Sequence, residues 1–123
     1  MIASINQKHI QINTATDILK YLGLLGSTEL AESWIRSNDS QLMCILKAND
    51  KMLLMYLQNE GDVGVISQGN DGADQLVSFT LANGQVDEYP QNWCVDSQAA
   101  HQGIRFFLES GGKRPENIRW SVS

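Results

Sequence analysis

From residue 52 to residue 104 the chain contains no lysine and no arginine. The same stretch carries Glu60, Asp62, Asp71, Asp74, Asp87, Glu88 and Asp96, seven carboxylates against no cation, for a formal charge of −7. The rest of the chain holds all 9 basic residues and 7 of the 14 acidic ones, a charge of +2, so the net −5 is unevenly placed. A field of one sign repels nucleic acid and steers a basic partner. On charge alone, the plainer reading is preferred: solvated loop carboxylates that serve solubility.

Other absences exclude whole classes of function. No apolar run approaches ~18 residues, so no segment reads as membrane-spanning. Met1 to Ile5 has no basic region and no continuous apolar stretch, which does not fit a signal peptide. There are two cysteines, Cys44 and Cys94, both in apolar surroundings. A disulfide is conceivable, but reduced core thiols are the reading taken, and they suggest a cytoplasmic setting. His9 and His101 are the only histidines, and neither has ligands at zinc spacing. G-x-S-x-G and P-loop motifs are missing. Asn70 to Asp74 lacks the ligand spacing of a calcium loop. Glu60, Asp62, Asp87 and Glu88 offer carboxylates for acid-base work, but no nucleophile or electrophilic group accompanies them. No catalytic residue, metal or cofactor is assigned.

Hydrophobic patterning supplies the fold. His9 to Ile12 alternates as a short strand. Thr14-Ala15-Thr16-Asp17 is a capping-box start for a helix of about ten residues. Its buried side is Ile18, Leu22 and Leu25, and Gly23 and Gly26 bracket its end. Trp34-Ile35-Arg36 is a weak strand before the turn residues Asn38-Asp39-Ser40. Leu42 to Leu46 and Met52 to Leu57 are continuous apolar runs joined by Ala48-Asn49-Asp50, the pattern of a central hairpin covered on both faces. Val63 to Ser67 can pair next, with Gly64 as a bulge. Leu76 to Leu81 and Gln85 to Tyr89 flank Asn83-Gly84, which suits a type I′ turn. Pro90 ends that hairpin.

Asp96 then caps a second helix, whose apolar face is Ala100, Ile104, Phe107 and Leu108. Gly111-Gly112 stops it in the left-handed region, and Pro115 prevents it from resuming. Residues 117–120 read as a last strand, with Ile118 and Trp120 on one face and Trp120 closing the core. Short connections leave no room for parallel crossovers. The expected fold class is α+β: a mostly antiparallel β-sheet with two packed α-helices, in one domain over residues 1–123.

Three stretches carry a resemblance to a known family. They are Leu46-Lys47-Ala48-Asn49-Asp50 with the apolar strand through Leu57; Val65-Ile66-Ser67-Gln68-Gly69-Asn70; and Cys94-Val95 through Phe106-Phe107-Leu108 to Lys113-Arg114-Pro115-Glu116-Asn117-Ile118-Arg119-Trp120-Ser121. In these the chain resembles a family of bacterial immunity proteins from polymorphic toxin systems, encoded beside toxins that are often deaminases. Residues 24–40 match poorly. The resemblance implies a non-enzymatic inhibitor that binds a cognate toxin domain, a deaminase or otherwise a nuclease, and neither nucleic acid nor membrane. A nucleic-acid deaminase needs a positive groove around its base-flipping pocket. A carboxylate-rich surface can occupy that groove and speed association. The expected partner-binding residues are Glu60, Asp62, Asp71, Asp74, Asp87 and Glu88, with Tyr89 and Trp93 as aromatic anchors. The competing classes are a secretion chaperone, which would bind an unfolded segment, and a small-ligand or metal-binding enzyme working through its carboxylates.

Overall fold

The computed structural model describes residues 1–69 and 72–122. Along the chain come β1 (Ile2–Ile5), β2 (Lys8–Gln11), α1 (Ala15–Ser27), β3 (Leu30–Arg36), β4 (Leu42–Ala48), β5 (Lys51–Leu57) and β6 (Val65–Gln68). They are followed by β7 (Leu76–Thr80), β8 (Val86–Pro90), a 3₁₀ turn (Gln91–Trp93), α2 (Ser97–Glu109) and β9 (Arg119–Ser121). Seven strands form one sheet in the order β2-β1-β3-β4-β5-β6-β9, and β7 and β8 form a separate two-stranded sheet. Every pairing is antiparallel. The fold is α+β, as the patterning implies.

The sheet is the middle of three layers. On one face the two helices pack through Tyr21, Leu25, Ile104 and Phe107 onto Ile35, Ile45 and Leu54. On the other, Phe79 of the small hairpin packs with Cys44, Leu46, Leu53, Ile66 and Cys94. All seven residues of β4 are therefore buried, which is why Leu42 to Leu46 run continuously apolar instead of alternating. Cys44 and Cys94 are free thiols within this second cluster.

The helix caps fall where the sequence places them. Thr14 Oγ1 accepts from the Asp17 amide at 3.1 Å, and the Asp17 carboxylate accepts from the Asn13 and Thr14 amides. Those bonds, the one from Asn13 foremost, hold its carboxyl below the usual value. Asp96 accepts from the Ala99 amide at 2.8 Å. Gly111 and Gly112 have φ of 79° and 111°, so the second helix stops as expected.

Several expectations need correction. β1 was not anticipated as a strand, yet it pairs with both β2 and β3. α1 continues through Gly23 and Gly26 to Ser27, with Thr28 as its C-cap. Its last carbonyls are taken by the Thr28 hydroxyl, on Leu24, and by the Lys47 ammonium, on Leu25 and Gly26, so no glycine stop is needed. Trp34-Ile35-Arg36 is the end of a seven-residue strand, β3. Gly64, at φ 79°, forms the corner before β6 and is not a bulge within it. The last strand begins at Arg119, because Asn117 is tied to the helix by a 3.1 Å bond to the Ala99 carbonyl.

The type I′ turn is displaced as well. Asn83 does not have positive φ, and Gly84 alone does, at 89°. The Leu81 amide donates to Gln85 O and the Gly84 amide to Leu81 O, a type I turn closed by a glycine bulge. Two consecutive positive φ values occur instead at Asn6 and Gln7, in the β1–β2 turn.

Candidate functional site

Residues 52–104 contribute the β5–β6 loop, the whole β7–β8 hairpin and the turns that flank it, and the described site residues take their environments from these. The hairpin lies across the main sheet. At its base, Gln91 N bonds Gln75 O and Asn92 O accepts from Gly69 N, beside β6. At its tip the Ala82 amide donates to Glu32 Oε1, on β3, at 3.0 Å.

Strand alternation separates residues that are adjacent in sequence. Asp87 pairs with Phe79 and Tyr89 with Val77, so both lie on the inward side of the hairpin. Glu88 pairs with Ser78 on the outward side and is exposed. Asp87 accepts from the Tyr89 hydroxyl at 3.1 Å and from Gln85 Nε2 at 2.7 Å. Burial, then the bond to Asp87, raises the Tyr89 phenol above its usual value. Tyr89 stacks on Trp93 at 5.6 Å between centroids, and both rings pack partly buried against the second core cluster. The Trp93 carbonyl is held by Ser67 Oγ at 2.7 Å. Asp87, Tyr89 and Trp93 are thus brought together.

The exposed carboxylates sit elsewhere. Glu60 and Asp62 share the β5–β6 loop, where Asp62 Oδ2 accepts from the Asn59 amide at 2.9 Å. Glu60 bridges to Arg36 at 2.9 Å. Asp74 is exposed in the turn before β7. Asp71 lies outside the described residues. Among the described residues, no three His, Cys, Asp or Glu side chains group as a metal site. Nor is any helix among them long and apolar enough to cross a membrane.

Two features escaped the sequence reading. Lys47 is buried in β4 and donates to Leu25 O and Gly26 O at 2.9 and 3.0 Å. Burial depresses its ammonium, partly offset by the nearby Glu29 carboxylate. The second feature is a cleft of about 440 Å³ lined by Ile2, Trp34, Arg36, Leu42, Leu57 and Glu60, among others. The alternation Glu32-Ser33-Trp34-Ile35-Arg36 was the signal for it, since one face of that strand is polar and aromatic and the other is small and apolar.

The family model Immunity protein Imm1 matches residues 12–122, and the chain belongs to that family. Comparison with curated proteins gives no match. An immunity protein acts against a toxin, so the partner of this chain is a cognate toxin.

Proposed function

We propose that this chain neutralises a nucleic-acid deaminase by laying a carboxylate-rich surface over the toxin's substrate groove. The observation that carries the reading is the run from residue 52 to residue 104, which has no lysine or arginine and exposes Glu60, Asp62, Asp74 and Glu88. A deaminase groove must be positive to hold a polyanion and accept a flipped base. Carboxylates on a rigid scaffold compete for the same cations and exclude the substrate. Asp87, Tyr89 and Trp93 support this surface from the inner side of the hairpin, and Asp71 belongs to the same stretch of sequence. Inhibition is by occupancy, with no catalysis, metal or cofactor. The chain acts as one domain in the cytoplasm, where an incoming toxin meets its target.

Lysine reversals at Asp62 and Glu88 test the reading. Glu88 is exposed, so the fold should tolerate its reversal to within about 0.5 kcal/mol, while Asp62 also accepts from the Asn59 amide and its reversal should cost about 1 kcal/mol. Association with the cognate toxin domain should slow, and high salt should mask the defect, because ions screen exposed charges beyond about 8–10 Å. Unchanged association and unchanged rescue of toxin-expressing cells would sink the electrostatic mechanism and leave the family assignment intact.

A further inference from the structure

The hairpin covers only part of its face of the sheet. Following the pairings from strand to strand, Ser4, Trp34, Cys44 and Met55 form one row across that face. Ile2, Arg36, Leu42 and Leu57 form the next row outward. Cys44 is roofed by the hairpin cluster. The outer row and Trp34 line the open cleft.

Leu42 and Leu57 are buried and form an apolar floor, while Ile2 is 47% and Trp34 39% exposed at the sides. The Trp34 indole N–H already donates to Glu32 Oε2 at 3.0 Å, so what the ring offers a visitor is apolar surface. Arg36 reaches Glu60 on the rim, and Asp62 follows two residues later in the same loop. An exposed ion pair of this kind is worth at most about 1 kcal/mol and exchanges partners readily. Glu60 is therefore available to another cation.

We propose that this cleft seats an apolar side chain of the toxin domain, flanked by a basic residue that takes up Glu60. The inference rests on the toxin-binding reading above and names the contact that would hold the complex once charge has steered it together. A pocket of about 440 Å³ suits one or two side chains rather than a domain. A tryptophan beside an arginine, over a desolvated floor, is the composition of binding hot spots. Charge argues against a second copy of this chain as the occupant. A two-fold contact through this cleft would bring together two chains of net charge −5, each with the Glu60–Asp62 loop at the rim of the contact. The other exposed apolar residues of the hairpin, Leu76 and Val86, stand at opposite ends of its register and make no such hollow.

Biolayer interferometry against the cognate toxin domain tests the proposal, with wild type, Trp34→Ala, Ile2→Asp and Leu19→Asp compared. Light scattering is measured on each variant alone. Trp34→Ala and Ile2→Asp should each weaken Kd about 30-fold or more, mainly through faster dissociation that added salt does not mask. Leu19→Asp, exposed on α1 on the opposite face of the sheet, should change Kd by less than about threefold. Ile2→Asp provides the answer if Trp34→Ala fails to fold. If both cleft variants bind like wild type while the acidic reversals slow association, the cleft proposal falls and the electrostatic reading stands. If the cleft variants weaken binding and the acidic reversals do not, the reverse holds. If wild type does not bind the toxin domain, both fall. A wild-type dimer that Trp34→Ala dissolves would identify the cleft as a contact between copies and overturn the proposal.

Discussion

The ammonium of Lys47, in the central strand of the sheet, donates to the carbonyl oxygen of Leu25, in the last turn of α1, over 2.9 Å. A second bond, of 3.0 Å, goes to Gly26 O. Leu25 O otherwise accepts only the long 3.3 Å bond from the Thr28 amide at the helix cap, and a cation at a helix C-terminus also meets the negative end of its dipole. One side chain thus joins the sheet to the helix layer and ends the helix.

Lys47→Met keeps the apolar stem and removes the donor. It should lower stability by about 1–2 kcal/mol in urea melts at neutral pH. The pH dependence has a definite sign. The folded-state pKa lies below the usual 10.5, so the folded chain releases this proton before the unfolded chain does. Where the unfolded state binds more protons, stability rises with pH. Relative to Lys47→Met, wild type should gain stability as pH rises through the window just below 10.5, and a decline there would contradict the assigned environment.

Asp87→Asn and Glu88→Gln remove equal charge from neighbouring positions, but their effects should differ. Asp87 accepts from Tyr89 and Gln85 on the inner side of the hairpin, so its loss should cost about 1 kcal/mol in a thermal or urea melt. Glu88 faces outward and should change stability by under about 0.5 kcal/mol. Equal costs at the two positions would refute the inward placement of Asp87.

Trp120→Ala should cost about 2 kcal/mol, less than the ~3–5 kcal/mol of a fully buried tryptophan. The ring is half-buried on edge strand β9, 6.3 Å from the Tyr56 ring, and its indole N–H donates to Pro115 O at 2.8 Å. Denaturant midpoints of Trp120→Ala and Trp120→Phe would separate packing from that bond. A loss under about 0.5 kcal/mol for the alanine would mean that the ring does not help hold the strand.

Two glycine substitutions should move stability in opposite directions. Gly23 sits inside α1 with open space where a Cβ would go, so Gly23→Ala should stabilise by about 0.5–1 kcal/mol. Gly112 has φ 111°, and a Cβ there would lie 2.7 Å from Ser37 Cβ. Gly112→Ala should destabilise by about 2 kcal/mol or more, through both strain and collision. Paired melts decide this, and a stable Gly112→Ala would show that the helix stop tolerates a side chain.

Part of the local chemistry was legible in the sequence. Thr14 with Asp17, Asp96, and Gly111-Gly112 each act on backbone groups within a few residues, so their roles need no knowledge of the rest of the chain. The apolar runs of β4 and β5 announced a strand pair covered on both sides, and one of the three stretches that carried the family likeness lies there. Asn83-Gly84 was misread because its register is fixed from outside. Phe79 enters the core and the Ala82 amide reaches Glu32, so the hairpin takes the turn that satisfies both. α1 was drawn too short because its end is set by Thr28, on Leu24 O and Leu25 O, and by Lys47, on a strand 20 or more positions along the chain. The sequence by itself determined most of the elements, the N-caps of both helices and the stop of the second, the α+β class and the one-signed charge of residues 52–104, all properties of neighbours in the chain or of composition. Only the tertiary structure decided which side each residue faces: that Asp87 turns inward and Glu88 outward, and that Trp34 is left uncovered where the hairpin ends. Exposure on a sheet depends on what is laid over it, and that layer comes from strands forty or more positions away in the chain.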